Sequence, residues 1–89
     1  MINRDIEIKN KLGLHARAAA KLVHTAARFQ SEIKIRKGDE EVDGKSILGI
    51  LLLAAGRGSV ITAKADGADE QQALDAIQEL IDRKFDELE

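Results

Sequence analysis

His15 is the residue whose surroundings point most directly to chemistry. A helical pattern begins at Ala16, which puts His15 at its cap, with Arg17 and Lys21 following and no Asp or Glu from residue 8 to residue 31. Helix starts favour Ser, Thr, Asp or Asn as cap and acids in the first turn, and each cation there costs typically about 0.3–1 kcal/mol. A local rule broken in this way marks a functional position. The N–H groups of residues 16–18, the Arg17 guanidinium and the helix dipole converge on an anion site around an imidazole. Such an imidazole is a nucleophile towards phosphorus, and its product, a phosphoramidate, passes the group on readily. The competing reading is a solvated loop histidine ahead of a soluble helix face.

Arg17, Lys21, His24 and Arg28 recur at spacings of four, three and four, a basic stripe on the side of the helix opposite its apolar one. This stripe suits an anionic ligand or an acidic partner. His24 has no metal-competent neighbour on its own face and reads as a surface histidine of the stripe. No metal site or cofactor is expected. Gly44-Lys45-Ser46 lacks the upstream glycine spacing of a phosphate-binding loop, and the acids before it would repel phosphate. Ser46 reads instead as the N-cap of a short helix from Ile47 to about Leu53. That helix is too apolar to hide all its side chains. Ile47, Leu48 and Leu51, with Leu52, are expected to form an outward partner-binding patch centred on Leu48 and Leu51.

The remaining pattern supplies the elements that must position these groups. Ile2, Ile6 and Ile8 alternate with polar residues as a strand, and Asn10 to Gly13 is a turn. The first helix spans Ala16 to Phe29 with Ala19, Leu22, Val23, Ala26 and Phe29 (or Gln30) inward. Residues 32–37 and 41–43 form a hairpin across Gly38 to Glu40. Val60 to Ala65 is a strand with Ile61, Ala63 and Ala65 on one face. Asp69 with Gln72 resembles a capping box. The last helix buries Ala73, Leu74, Ile77, Leu80, Ile81 and Phe85. The order β-α-β-β-α-β-α predicts an α+β two-layer open-faced sandwich, a four-stranded antiparallel sheet with three helices on one face. Residues 1–89 are expected to be a single domain.

Composition narrows the function classes. The chain has 89 residues, 44% hydrophobic and 34% charged, and no cysteine, so it must fold without disulfides. Two phenylalanines are its only aromatics, which disfavours base stacking, and nucleic acid is not an expected partner. No apolar run is long enough to span a bilayer. No secretory signal opens the chain, and a cytoplasmic monomer is expected. The net charge of −2 hides nine Lys/Arg against three Asp/Glu in residues 1–37 and five against thirteen beyond, so a dipolar surface is expected.

Gly13-Leu14-His15-Ala16-Arg17 and Lys45-Ser46-Ile47-Leu48-Gly49-Ile50-Leu51 together resemble HPr, the histidine-containing phosphocarrier family of the bacterial phosphoenolpyruvate–sugar phosphotransferase system. The resemblance covers essentially the whole chain. It implies that His15 accepts a phosphoryl group on Nδ1 from enzyme I and passes it to enzyme IIA domains, as a covalent intermediate and not a stand-alone catalyst. It implies that Arg17 steadies that group. It also implies that Ser46 is a regulatory site, modified by a dedicated kinase/phosphorylase in the forms that carry one. The family's usual proline after the arginine is Ala18 here. The alternatives are a nitrogen-type regulatory phosphocarrier and a non-catalytic interaction module built on the Leu48/Leu51 patch.

Overall fold

The computed structural model describes residues 1–87. Its elements are β1 (Ile2–Glu7), α1 (Ala16–Ala27), β2 (Glu32–Lys37), β3 (Glu40–Asp43), α2 (Ile47–Leu52), β4 (Val60–Asp66) and α3 (Glu70–Asp82). The four strands form one antiparallel sheet in the order β1-β4-β2-β3. The expected open-faced sandwich is the observed one. Alternation sets which face is wet: Ile6, Ile33, Ile35, Ile61 and Ala63 are buried, while Asn3, Asp5, Glu7 and Arg36 are exposed. The helices cover the apolar face, and α1 contributes Ala18, Ala19, Leu22, Val23 and Ala26 to the core. Val23 and Ala26 close the helical stripe. Phe29 lies past the end of α1 and is half-buried against the core.

Two expectations change. Asp69 stands at the cap position of α3 but makes no capping bond. Its carboxylate instead accepts the N–H groups of Gln30 and Ser31, each at 2.9 Å, and the Ser31 hydroxyl. Tying down three donors across the chain outweighs one local cap, because buried Ser31 would otherwise be left unpaired. The Ser31 hydroxyl and the Gln30 N–H hold the Asp69 carboxyl below the ordinary carboxylate range. Glu70 covers the helix entry by accepting from the Gly67 N–H at 3.1 Å. Phe85, expected at the end of the last helix, is buried beyond it in a separate turn, Lys84–Asp86.

The charge asymmetry is partly paired off. Arg4 meets Asp75 at 3.0 Å and Lys9 meets Asp82 at 2.8 Å, joining the first strand and its exit to α3. Exposed pairs of this kind add little stability, about 0–1 kcal/mol each.

Candidate functional site

The loop from Lys9 to Leu14 is built to deliver His15 to the head of α1. Asn10 is fully buried; its Nδ2 donates to the Gly13 carbonyl at 2.8 Å. Gly13 has φ +66°, and a Cβ there would stand 2.5 Å from the Ala55 carbonyl oxygen. Only glycine fits that left-handed close approach. Leu14 then donates its N–H to Ala55 at 2.9 Å and buries its side chain. His15 follows as the extended N-cap residue, its carbonyl accepting the Ala19 N–H at 2.8 Å. Its side chain caps nothing, so the ring is available for other work.

The acid missing from the neighbouring sequence arrives from the far end of the chain. His15 Nε2 is hydrogen-bonded to Oε2 of Glu87, whose Oε1 accepts from Asn10 Nδ2 at 3.0 Å. Burial works to raise the Glu87 carboxyl, since its side chain is only 15% exposed, but the Asn10 amide and His15, with the Lys21 charge nearby, hold it below the usual carboxylate range. An ionised Glu87 can only accept, so His15 Nε2 carries the proton, and Nδ1 is the ring nitrogen that Glu87 does not engage.

Glu87 is brought there by an unusual backbone. Lys84, Phe85 and Asp86 all have φ between 56° and 61°. Left-handed conformation costs a non-glycine residue about 1–2 kcal/mol, and it persists where surrounding contacts over-determine it. Here Phe85 is fully buried, a gain of up to about 3 kcal/mol. Its carbonyl accepts Lys21 Nζ at 2.6 Å, and Arg83 Nε reaches Asp86 at 3.0 Å.

Lys21, read from the sequence as a member of the basic stripe, is half-buried and pins this turn to α1. Arg17, His24 and Arg28 are exposed, and the Arg28 guanidinium lies 5.4 Å from the Phe29 ring centre. Arg17, Lys21, His15 and Glu87 line an open groove of about 720 Å³, together with Lys11, Leu12, Ala16 and Asp86. His24 is not among its lining residues. Among the described residues no three His, Asp or Glu side chains come together as metal ligands.

Ser46 caps α2 as expected, its Oγ accepting the Gly49 N–H at 3.1 Å. Lys45 sends its Nζ to the Phe29 carbonyl at 2.8 Å. The apolar patch differs in membership from the expectation. Ile47 and Leu48 are exposed, but Leu51 packs half-buried against the core, and Leu52 and Leu12 are the further exposed leucines. A helix this short turns Ile50 fully inward and Leu51 with it in part, which leaves Leu48 and Leu52, four apart, on the outer side.

Known proteins match this arrangement over nearly its full length. Residues 2–83 match the family described as PTS HPr component phosphorylation site. The chain is 52% identical to the phosphocarrier protein HPr of Cupriavidus necator over 87 residues, covering 98% of each. It is 49% identical to the phosphocarrier protein NPr of Shewanella violacea, covering 97% of this chain and 94% of that one. A crystal structure of HPr from Thermoanaerobacter tengcongensis superposes with a TM-score of 0.95 at 47% identity, covering 98% of both chains. With a matching fold, a histidine at the head of α1 and relatives matched end to end, the chain belongs to the HPr family of phosphocarrier proteins of the phosphotransferase system.

Proposed function

We propose that this chain relays a phosphoryl group through His15, taking it from phosphorylated enzyme I onto Nδ1 and handing it to enzyme IIA domains. The observation that carries the reading is a single imidazole at the head of α1, held at Nε2 by Glu87 and flanked by Arg17 in an open groove. An open groove suits transfer between proteins, where the donor nitrogen, the phosphorus and the acceptor nitrogen must line up. Exposed Leu48, Ile47 and Leu52 supply the apolar part of a docking surface, and Arg17 and Arg28 a basic rim that steers acidic partners. A carrier working with enzyme I acts in the cytoplasm. Mixed with enzyme I and phosphoenolpyruvate, the protein is expected to gain the mass of one phosphate, lost in acid and kept in alkali. No gain of mass sinks the proposal.

The likeness to an NPr favours a second reading, a nitrogen-type regulatory carrier with the same histidine chemistry. Offering the phosphorylated protein to enzyme IIA domains of the sugar and nitrogen types, and timing its loss of phosphate to each, separates the two.

Ser46 fits a regulatory site read by a serine kinase/phosphorylase. A phosphate there adds about −1.5 to −2 charges at the helix end that tolerates anions. The helix keeps its stability, while the charge sits beside exposed Ile47 and Leu48, where docking would have to desolvate it. Ser46→Asp is therefore expected to hold or raise the melting temperature. It is also expected to slow His15 phosphorylation at least about tenfold, since like charge in an interface costs several kcal/mol. Wild-type transfer at an unchanged melting temperature would reduce Ser46 to a plain cap.

A further inference from the structure

We infer that Glu87 is a positioning residue for phosphoryl transfer at His15: it fixes the ring through Nε2, turns Nδ1 towards the groove, and supplies the counter-charge for the phosphorylated ring. The inference rests on the reading of His15 as the acceptor. It goes beyond that reading because the reading gives Glu87 no role, and the Lys84–Glu87 segment lies past residues 2–83 that match the family of the phosphorylation site.

Three observations converge on it. The Glu87 carboxylate is engaged at both oxygens, by His15 and by Asn10, so its position is set independently of the imidazole. Asn10 is itself anchored by its bond to the Gly13 carbonyl within the loop that delivers His15. The backbone leading to Glu87 is clamped by buried Phe85 and by Lys21 Nζ on the Phe85 carbonyl. A carboxylate placed this way restricts ring rotation, as carboxylate partners of metal-bound and catalytic histidines do.

The charge balance gives it a second task. The Nδ1 lone pair attacks the phosphorus of the donor phosphohistidine. The Nδ1–P bond forms as the donor N–P bond breaks, and that electron pair returns to the donor ring. His15 keeps its Nε2 proton throughout, so the phosphorylated ring is formally cationic. That positive charge develops directly against the Glu87 carboxylate. In onward transfer the electron pair returns to Nδ1 and the ring is neutral again, with no proton moved at Nε2.

Wild type, Glu87→Ala and Glu87→Gln, each as the full chain, decide the matter by two readouts: the rate of phosphorylation by enzyme I, and the proton resonance of His15 Nε2–H in the unphosphorylated protein. Orienting partners of this kind are worth roughly 10–100-fold, and Glu87→Ala is expected to slow transfer by about tenfold and to lose the Nε2–H signal to exchange with water. Glu87→Gln, which keeps an acceptor oxygen but not the charge, should retain the signal and recover only part of the rate lost in Glu87→Ala. A Glu87→Ala rate equal to wild type overturns the inference, as does a slowed rate with the Nε2–H signal intact. If wild-type His15 takes up no phosphoryl group, the carrier reading itself fails. The Nε2–H signal is measured before any phosphorylation and reports the contact in either case.

Discussion

Replacing His15 by alanine is expected to abolish phosphoryl uptake from enzyme I altogether, while replacing His24 by alanine changes it little. The difference follows from placement. His15 heads α1 beside the unpaired N–H groups of the first turn and has Glu87 on Nε2. His24 lies exposed near the other end of the helix, outside the groove. The variant should fold. His15 makes no capping bond, and alanine leaves the backbone free to accept the Ala19 N–H as before. It should not be silent in stability, however. Removing the imidazole takes one partner from a largely buried carboxylate and leaves Asn10 to hold it. A lost hydrogen bond to a charged group is worth about 1.5–3 kcal/mol, reduced here because the groove admits water. A loss near 1 kcal/mol lowers the melting temperature of a domain this size by about 4–8 °C. Mass spectrometry after incubation with enzyme I and phosphoenolpyruvate, with a thermal melt of the same sample, reads both. Uptake by the folded variant would move the acceptor elsewhere.

The fold was legible because period and burial agree along most of the chain. Ile33 and Ile35 alternate with Lys34 and Arg36, and the sheet has one wet face for that reason. The helical stripes of α1 and α3 coincide with their buried residues because nothing long-range competes with them. The capping box at Asp69 fails where a competitor exists. A carboxylate at a helix start can serve its own N–H groups or three donors on another segment, and only the tertiary structure decides between them. Ser46 faced no such rival and caps as read.

The site was legible only in its local half. His15, Arg17 and Ser46 lie in short motifs that stand out in the sequence as candidates. Glu87 stands 72 residues from His15, in a segment without periodicity, and reaches it only because three successive residues adopt a left-handed turn that no propensity foretells. The sign was indirect. A helix start with no acid from residue 8 to residue 31 leaves its excess positive charge to be met from elsewhere, and the described acids lining the groove are Asp86 and Glu87. The anchoring contact of Lys21 was illegible for the same reason. Its helical phase allows it to be solvated, but the carbonyl of Phe85 arrives beside it.

Arg17→Glu is expected to have the second largest effect, a loss of transfer rate of about a thousandfold, comparable to deleting the strongest transition-state donors. Arg17 lines the groove with His15 and is exposed, so its guanidinium is free to turn towards an incoming phosphoryl group. Two unit charges about 5 Å apart, in a medium of effective dielectric about 20, interact by about 3 kcal/mol. Screening by water and salt reduces this for an exposed side chain. Reversing the charge counts the term twice, since an attraction is removed and a repulsion added. The new carboxylate would also join Asp86 and Glu87 on the rim of one groove, making it hostile to an anion. Arg17→Lys keeps the charge but loses the planar fork that grips two oxygens at once, so a smaller loss, about tenfold, is expected. Stability separates this role from a structural one. A glutamate in the first turn of α1 gains about 0.3–1 kcal/mol from the helix dipole, offset in part by its repulsion from Asp86 and Glu87. The melting temperature should therefore stay close to wild type while transfer collapses, and added salt should narrow the gap in rate between Arg17→Glu and wild type. Equal rates for the two proteins at low salt would remove Arg17 from the transfer chemistry.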